Sequence, residues 1–346
     1  MVATIAIQCS RDTIEAMAKV FVTGADGFIG SHLVEQLLAN GHSVVAMAQY
    51  NSFGDVGWLS DVEPSSQLEI QLGDIRDMTQ LRDFVEGAET VIHLAALIAI
   101  PYSYVAPHSY FETNVMGTLN LVKVSQEVGV KNFIHTSTSE VYGTANYVPI
   151  DELHPIKAQS PYSASKIGAD AVVRSFVDSF DFPAITIRPF NTFGPRQSQR
   201  AVIPALAAQF LTRKPVIKVG TLTTLRDFTF VSDTVNGFVS ALDRSDLKGE
   251  VINLGTGHEV SISQIVELLS ELTNHKPMVE TDPKRVRPDK SEVGRLMSDN
   301  RKARELLGWS PKMSGTEGLK QGLIETLNWL ETQLESGRAS GGEYVK

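Results

Sequence analysis

The chain is poor in the features that would place it outside the cell or in a membrane. Its 346 residues contain one cysteine, Cys9, which excludes an intramolecular disulfide and a metal site built from cysteines. No apolar run is long enough to span a membrane, and the N-terminus lacks the charged start and apolar core of a signal peptide. Lys and Arg number 31 against 40 Asp and Glu, with no basic block. We therefore expect a cytoplasmic protein that binds no metal, no nucleic acid and no membrane.

What the sequence does have is a regular alternation of short apolar runs and helical patterns. The runs are apolar at consecutive positions, as is typical of parallel strands covered by helices on both faces. This pattern predicts an α/β fold with a doubly wound parallel sheet. The predicted strands are 19–23, 43–48, 68–72, 90–94, 132–136 and 184–188, and the predicted helices are 28–40, 77–86, 107–128 and 160–179.

Changes in this alternation divide the chain into four parts. Residues 1–16 do not share the pattern of the rest of the chain and are expected to be an N-terminal extension that folding does not require. Residues 17–188 carry the alternation, whereas prolines interrupt it in residues 189–332. We expect the latter to form a smaller α/β substrate lobe with segments that return to the main sheet. Residues 333–346 are rich in small and polar side chains and are predicted to be a flexible tail.

Three glycines lie in G-x-x-G-x-x-G spacing between the first predicted strand and the first predicted helix. They are Gly24, Gly27 and Gly30, and Phe28 and Ile29 begin the helix. Glycines at such a turn let the backbone approach a pyrophosphate at the helix N-terminus. Within a strand-helix-strand unit, this spacing predicts that residues 17–188 form a dinucleotide-binding, Rossmann-like domain.

The residues at the end of the second predicted strand indicate which dinucleotide cofactor to expect. Such folds commonly carry an acid that binds ribose about twenty residues after the glycines, at the end of this strand. Residues 48–51 have the sequence AQYN and contain no acid. Residues 46–64 also contain no Arg or Lys that could pair with a 2′-phosphate. We therefore predict NAD as the cofactor, with NADP as the alternative.

Further cofactor contacts are expected where the third and fourth strands end. The candidate residues are Asp74, Ile75, Leu94, Ala95 and Ala96. Asp74 is placed to bind the adenine amine or, alternatively, to cap the following helix. The small residues after the fourth strand permit close approach of a cofactor. His93, in front of them, is predicted to be a packed strand residue.

Residues 136–166 carry the groups that predict chemistry. Ser160 predicts the N-cap of a helix that begins with proline, which puts Tyr162 and Lys166 one turn apart on the same face. An ammonium close to a phenol lowers the pKa of the phenol and favours a base that can deprotonate a sugar hydroxyl. Glu140 supplies a second acid/base group. A carboxyl group beside the tyrosine indicates chemistry beyond one hydride transfer.

Polar residues of the second half are candidates for holding a phosphorylated substrate. They are Asn191, Arg200, Arg226 and Arg287. The asparagine either binds the ligand or stabilises a turn. Guanidinium groups match phosphate oxygens in bidentate geometry, although each arginine could instead be solvated, and Arg226 could pair with Asp227 or Asp233. Together these residues predict a substrate that carries a diphosphate.

The motifs in their order resemble those of extended short-chain dehydrogenases/reductases of the NAD-dependent epimerase/dehydratase family, which act on nucleotide sugars. The motifs are TGADGFIG, GDIRD, HLAA, TNVMGT, STSEVYG, PYSASK, RPFNTFGP and RDFTFVSD, and the resemblance covers residues 18–329. Within the family the chain is most similar to 4,6-dehydratases of legionaminic-acid pathways. At STSE it is also similar to GDP-mannose 4,6-dehydratases.

The resemblance implies a role for each matching position. Tyr162 and Lys166 would be the base and its partner, Thr138 would bind the 4-hydroxyl, and Glu140 would act on the 5-proton. Many dehydratases have aspartate in front of this glutamate, where this chain has Ser139. The glutamate would then handle both the 5-proton and the departing 6-hydroxyl, or share the task with a water.

The resemblance also implies features away from the reacting groups. Asn114, in TNVMGT, would help to bind and order the cofactor region. The family further implies a homodimer that packs through the helices predicted at 107–128 and 160–179. The substrate partner would be a nucleotide-diphosphate sugar.

The implied function is a nucleotide-sugar 4,6-dehydratase. Oxidation at the 4-carbon, loss of water and return of the hydride would give a 4-keto-6-deoxy sugar, and UDP- or GDP-N-acetylglucosamine are the leading substrates. A decarboxylase of the UDP-glucuronate type is one alternative and would need a cation aimed at the sugar carboxylate. A 4-epimerase is another, although Glu140 would have no task in it. A non-catalytic cofactor-binding protein is the last, and the intact catalytic residues argue against it.

Overall fold

The computed structural model describes residues 18–341, so the predicted extension 1–16 lies outside the described residues. The strands in this part of the chain are β1 (Lys19–Thr23), β2 (Ser43–Gln49), β3 (Leu68–Gly73), β4 (Thr90–His93), β5 (Asn132–Thr136), β6 (Ala184–Pro189), β7 (Asn191–Phe193), β8 (Val216–Val219), β9 (Leu225–Phe230), β10 (Val251–Leu254), β11 (Glu259–Ser261) and β12 (Met278–Thr281). The helices are α1 (Phe28–Ala39), α2 (Met78–Val85), α3 (Ile100–Ser103), α4 (Pro107–Tyr110), α5 (Gly117–Val128), α6 (Pro161–Phe180), α7 (Val202–Leu211), α8 (Val231–Val239), α9 (Ile262–Thr273), α10 (Arg301–Leu307) and α11 (Gly315–Glu335).

A seven-stranded parallel sheet forms the centre of the molecule, in the order β10-β6-β5-β4-β1-β2-β3. Side chains of β1 point alternately into two cores: Val20 packs in the cluster that contains Leu33 of α1, and Phe21 in the cluster that contains Leu121 of α5. Both faces are therefore covered by helices, which is why the strands are apolar at consecutive positions. The predicted doubly wound α/β fold is confirmed.

The chain order along this sheet reverses between β1 and β4. β2 and β3 extend from β1 in one direction, while β4, β5 and β6 extend in the other. The connections leave on opposite sides of the sheet, which opens a crevice at the carboxyl ends of the strands. The candidate site lies at this edge.

The second half of the chain builds a smaller lobe and also completes the main sheet. β7, β9 and β11 form a three-stranded sheet, and β8 pairs with β12. β10 returns to the main sheet, where it pairs in parallel with β6. Leu33 of α1, Phe230 of β9 and Leu323 of α11 belong to one hydrophobic cluster. The lobe therefore shares a continuous core with one face of the main sheet.

The helix predicted at 107–128 is interrupted in the structure. α4 and α5 are joined by a π-helical turn, Phe111–Met116, and the backbone remains helical through it. Asn114 lies in this wide turn, where its side chain binds the backbone of Leu97 and the hydroxyl of Ser165. A π-helical turn inserts an extra residue and can re-aim a side chain, and such turns are frequent at functional sites.

Of the flexible tail predicted for residues 333–346, residues 342–346 lie outside the described residues, and residues 333–341 differ from the prediction. α11 continues to Glu335, and Arg338 then pairs with Asp61 at 3.1 Å. Ser340 exchanges hydrogen bonds with Gln199, at 2.8 and 2.9 Å. As far as residue 341, this segment is therefore held against the loops beside the cleft. In residues 18–341 we find no helix with the length and apolar character needed to cross a bilayer.

The turn between β1 and α1 has no room for a side chain at Gly30. A Cβ at this position would lie 2.1 Å from the carbonyl oxygen of Gly24, a contact that only a backbone shift can relieve. We expect Gly30→Ala to lower the free energy of unfolding by at least about 2 kcal/mol. Gly294→Ala is the matched control, since its Cβ would make one ordinary contact at 3.6 Å. Urea unfolding that shows equal stability for both variants would contradict this account.

Candidate active site

A cleft of about 550 Å³ lies at the carboxyl ends of the central strands, between the main sheet and the lobe. Most of the residues predicted from the sequence line it. They are Gly24, Gly27, Phe28, Ile29, Gly30, Asp74, Ile75, Leu94, Ala95, Ala96, Thr138, Ser139, Glu140, Tyr162, Lys166, Asn191 and Arg287. The fold thus brings together segments that are far apart in the chain.

The glycine turn is shaped to accept an anionic group. Gly24 has φ +66°, and a Cβ there would lie 2.7 Å from the backbone nitrogen of Ala95, so only glycine fits. Gly27 is the N-cap residue of α1, with no side-chain cap, and the first turn contains no acid. The first N–H groups of α1 are therefore left for a ligand in the cleft. A pyrophosphate fits such a helix end.

Asp74, which follows β3, does not cap the next helix. The N-cap of α2 is Asp77, whose carboxylate accepts from Thr79 and Gln80. Asp74 instead binds the guanidinium of Arg76, with its Oδ1 2.9 Å from Nε. The cap interpretation is therefore wrong, and Asp74 lies at the wall of the cleft as the partner of Arg76.

His93 and Asn114, two residues considered in the sequence analysis, lie behind the cleft wall and do not line the cleft. His93 is buried, as expected, with its ring nitrogens 2.8 Å from Thr23 Oγ1 and 2.9 Å from Thr118 Oγ1. Asn114 is also buried and connects Leu97, which lines the cleft, to α6. Its contacts indicate a positioning role.

Tyr162 and Lys166 occupy the first turns of α6. The helix begins as predicted, because Ser160 and Ser163 form a capping box ahead of the buried pair. The Nζ of Lys166 donates to the carbonyl oxygen of Thr136 at 2.6 Å, so the ammonium is fixed to the end of β5. The pair is thus oriented by one cap and one hydrogen bond to the sheet.

A short 3₁₀ turn, Ser139–Tyr142, brings the second acid to the same place. Thr138 caps this turn, since its Oγ1 accepts from the backbone N–H of Glu140 at 3.2 Å. The Thr138 side chain also lies close to Tyr162, where it lowers the pKa of the phenol. Ser139 and Glu140 are both buried at the cleft wall. The tyrosine, threonine and glutamate therefore face one reaction space.

The pKa of Tyr162 differs from the sequence expectation. Burial raises the pKa of this phenol, and the nearby charge of Glu140 raises it further, against the lowering effect of the Thr138 side chain. We expected the Lys166 ammonium to lower it, but that group is directed to the Thr136 carbonyl. Burial also lowers the pKa of Lys166, to about 8. Removal of water is thus the dominant effect on both groups.

The sequence analysis did not identify Asp170, which lies one turn after Lys166 on α6. Its carboxylate accepts from Ser137 Oγ at 2.8 Å and from Arg188 at 2.9 Å, and His135 Nε2 lies 3.1 Å away. Burial alone would raise the pKa of Asp170, but the His135 hydrogen bond and the charges of His135, Arg188 and Lys166 lower it to about 2. The i, i+4 spacing to the lysine was the available signal.

The substrate arginines lie partly in a second cavity of about 260 Å³ next to the cleft. Arg200 and Arg226 line this cavity, while Asn191 and Arg287 line both spaces. Asn191 Oδ1 and Arg287 Nη1 are buried, and we find no hydrogen-bond partner for either atom in the described part of the chain. Arg287 Nη1 is 3.8 Å from Glu140 Oε1. Polar groups of this kind are suited to an anionic or hydroxylated ligand.

Arg226 does not pair with either aspartate considered from the sequence. Its guanidinium is 3.3 Å from Glu292. Asp227 instead accepts from Thr256 and other backbone amides, and Asp233 accepts from the N–H groups that precede α11. Both aspartates thus hold loops together. Across residues 18–341 there is also no group of three His, Cys, Asp or Glu side chains placed to hold a metal ion.

These features define a class of protein: a dinucleotide-binding α/β fold with a tyrosine and lysine pair suited to hydroxyl oxidation and a cationic cavity beside it. The model of the GDP-mannose 4,6-dehydratase family matches residues 21–322. The chain therefore belongs to the NAD-dependent epimerase/dehydratase family of extended short-chain dehydrogenases/reductases.

Similar proteins in this family include epimerases as well as dehydratases. UDP-glucose 4-epimerase of Mycolicibacterium smegmatis is 33% identical over 306 residues, which cover 87% of this chain and 96% of that protein. UDP-glucuronate 4-epimerase of Thermodesulfobacterium geofontis is 32% identical over 326 residues, 92% and 98% of the two chains. The structure of dTDP-glucose 4,6-dehydratase from Streptomyces venezuelae, with NAD bound, has a TM-score of 0.83 at 28% identity and covers 94% of this chain and 100% of that one.

The charge of Asp170 should stabilise the folded protein. A carboxyl group whose pKa is lowered on folding stabilises above its unfolded pKa and loses this effect as pH falls through its folded pKa. We expect Asp170→Asn to lower the free energy of unfolding at pH 7 by about 2 kcal/mol, a difference that diminishes from about pH 4 towards pH 2. Asp178→Asn, on an exposed pair with Arg174, should change it by less than about 0.5 kcal/mol. If urea unfolding at pH 7 showed that both variants change the free energy of unfolding equally, the stabilising role of Asp170 would be refuted.

Proposed function

We propose that this protein is an NAD-dependent nucleotide-sugar 4,6-dehydratase, with a nucleoside-diphosphate N-acetylglucosamine as substrate. The observation that carries the proposal is the position of Glu140. Glu140 is 8% exposed, lines the same cleft as Tyr162 and stands two residues after Thr138, whose side chain lies close to the tyrosine. Oxidation of a hydroxyl needs one base, so a second acid/base group in the same space has a task only if another proton is moved.

NAD fits the main-sheet side of the cleft. The uncapped N-terminus of α1 and the glycine turn would hold its pyrophosphate, and Leu94 to Ala96 would contact it where β4 ends. The dehydratase relative from Streptomyces venezuelae was solved with NAD, which supports this choice. Bound NAD would accept a hydride from the 4-carbon and return it to the 6-carbon, so that water is lost without net redox change.

The chain's own residues would move the protons. Tyr162 would take the proton of the 4-hydroxyl. Because burial raises the pKa of its phenol, this step needs a nearby positive charge, which oxidised nicotinamide would supply. The ketone formed at the 4-carbon acidifies the neighbouring 5-proton, and Glu140 would remove it. The same carboxyl group would protonate the departing 6-hydroxyl, because Ser139 provides no second acid. The proton taken from the 4-hydroxyl would balance the one that the 5-carbon regains when hydride returns to the 6-carbon. Burial of Lys166 and Tyr162 excludes bulk water from these steps.

The second cavity supports a substrate that carries a diphosphate. Arg200, Arg226 and Arg287 line it, and Asn191 lies where the cavity joins the cleft. A nucleoside diphosphate bound among these guanidinium groups would extend its sugar past Asn191 towards Tyr162. The overall charge of −9 gives no general attraction for an anion, so these local groups must supply it.

A decarboxylase acting on a nucleotide uronic acid is the second candidate. Such an enzyme needs a cation aimed at the sugar carboxylate, and Arg287 has its Nη1 3.8 Å from Glu140. The relative from Thermodesulfobacterium geofontis is named for UDP-glucuronate, which adds weight to an acidic sugar. A 4-epimerase is also represented among the relatives, but its reaction leaves Glu140 without a proton to move.

A panel of UDP-, GDP- and dTDP-sugars, with neutral and uronic sugars, separates these candidates by product mass. We expect a neutral N-acetylhexosamine nucleotide to lose the mass of water. Loss of carbon dioxide from a uronate would favour the decarboxylase, and an unchanged mass with an altered hexose would favour the epimerase. Either result would overturn the dehydratase proposal.

Glu140→Gln tests the step that distinguishes a dehydratase. Tyr162 remains intact, so the sugar should still be oxidised and reduced nicotinamide should accumulate, while water loss falls about a hundredfold or more. Glu152→Gln is the matched control, because its carboxylate binds the backbone of Asn253 away from the cleft. Near-native dehydration by Glu140→Gln would refute the role of this residue.

We also propose a homodimer, as the family resemblance implies. Apolar side chains are exposed around α4 and the π-helical turn, among them Val105, Phe111 and Met116. Light scattering after size exclusion should give twice the monomer mass of 37.8 kDa. Met116→Glu should shift the protein towards the monomer, whereas Phe53→Glu, on a distant exposed loop, should not. A wild-type protein that is monomeric at micromolar concentration would contradict the proposal.

A further inference from the structure

A carboxylate from the glycine turn lies at the edge where the ribose-binding acid was expected. β2 ends at Gln49, which has no charge. Asp26 Oδ2 accepts a hydrogen bond from the backbone N–H of Gln49 at 3.3 Å, and both residues line the cleft. A carboxylate is therefore held against the end of β2, although that strand carries none.

The loop after β2 fixes Asp26 in this position. The backbone N–H of Trp58 donates to the carbonyl oxygen of Asp26 at 3.0 Å. A Cβ on Gly57 would lie 2.6 Å from that oxygen and 3.1 Å from the Asp26 Cβ, so the two residues pack closely. These contacts fix the backbone and Cβ of Asp26, and the Gln49 N–H holds its carboxylate at the cleft wall.

No cation compensates this charge within residues 18–341, since we find no ion pair to Asp26 there. Burial raises the pKa of Asp26, and the charge of Asp55 acts in the same direction, although the Gln49 N–H opposes both. The guanidinium that lines this end of the cleft is that of Arg76, and Asp74 already binds it through Nε and Nη2. A partly buried carboxylate without a cation is stabilised by neutral donors such as hydroxyl groups.

We propose that Asp26 takes over the task of the acid missing from β2. Its carboxylate accepts hydrogen bonds from the adenosine ribose hydroxyls of NAD and repels the 2′-phosphate of NADP. The absence of Arg and Lys from residues 46–64 leaves that phosphate without a counter-charge on the same loop. Asp26 is therefore the residue that selects the cofactor. This inference concerns cofactor choice and is independent of which sugar reaction the cleft performs.

Asp26→Asn tests the proposal with little change in shape. The asparagine oxygen can still accept from Gln49, so the variant removes the charge and keeps the structural hydrogen bond. The readout is binding: cofactor retained on purification is identified after denaturation, and NADH and NADPH are then titrated by fluorescence into protein from which it has been removed. Wild type should retain NAD. The variant should shift the affinity ratio towards NADPH by about tenfold or more.

Two further variants make the result decisive. Asp55→Asn removes a neighbouring charge that does not line the cleft, and it should change the ratio by less than about threefold. Adding Gln49→Glu to Asp26→Asn returns a carboxylate to the end of β2 and should restore preference for NADH. An unchanged ratio in Asp26→Asn, an equal shift in Asp55→Asn, or equal binding of both cofactors by wild type would overturn the proposal. If Asp26→Asn does not fold, Asp26→Thr gives the same measurement.

Discussion

Buried charged groups beneath the cleft stabilise one another, and the rest of the site depends on this interaction. The charged groups are Lys166 and Asp170 of α6 and Arg188 of β6, and the ring of His135 on β5 is a further polar partner of Asp170. Because little water reaches them, each charge is stable only while the others hold their positions. The parallel order of β5 and β6 makes this possible, since it brings the carboxyl ends of both strands to the helix that carries the tyrosine.

The two sides of the cleft carry groups that suit different ligands. The main-sheet side supplies backbone N–H groups and small residues, which suit a dinucleotide. The lobe side supplies guanidinium groups, which suit a diphosphate. Glu140 and Arg287 meet at the junction, and their separation of 3.8 Å leaves the carboxyl group close to a cation and to Tyr162 at once. The relatives are named for different reactions on nucleotide sugars, as expected when function depends on the residues of the site and not on the fold.

Between residues 19 and 188, most of the secondary structure could be predicted because its signals are local. The strands are continuous apolar runs, and the start of α6 is predicted by Ser160 and the proline after it. The glycine spacing likewise predicted the turn, because steric exclusion at Gly24 and Gly30 involves nearby backbone. The π-helical turn at residues 111–116 was not predicted, since its reason is the contact of Asn114 with Leu97 and α6. The contacts of Arg338 and Ser340 depend in the same way on distant partners.

The sequence by itself determined the fold class, the family and most of the residues that line the cleft, because these depend on short-range patterns and fixed spacings. Only the tertiary structure decided which charges meet. Arg226 pairs with Glu292, 66 residues away, and not with the aspartate next to it. Asp26 meets the end of β2, and Asp170 meets Arg188 of a neighbouring strand. Electrostatic interactions depend on distance in space and on exclusion of water, and neither can be obtained from the order of residues along the chain.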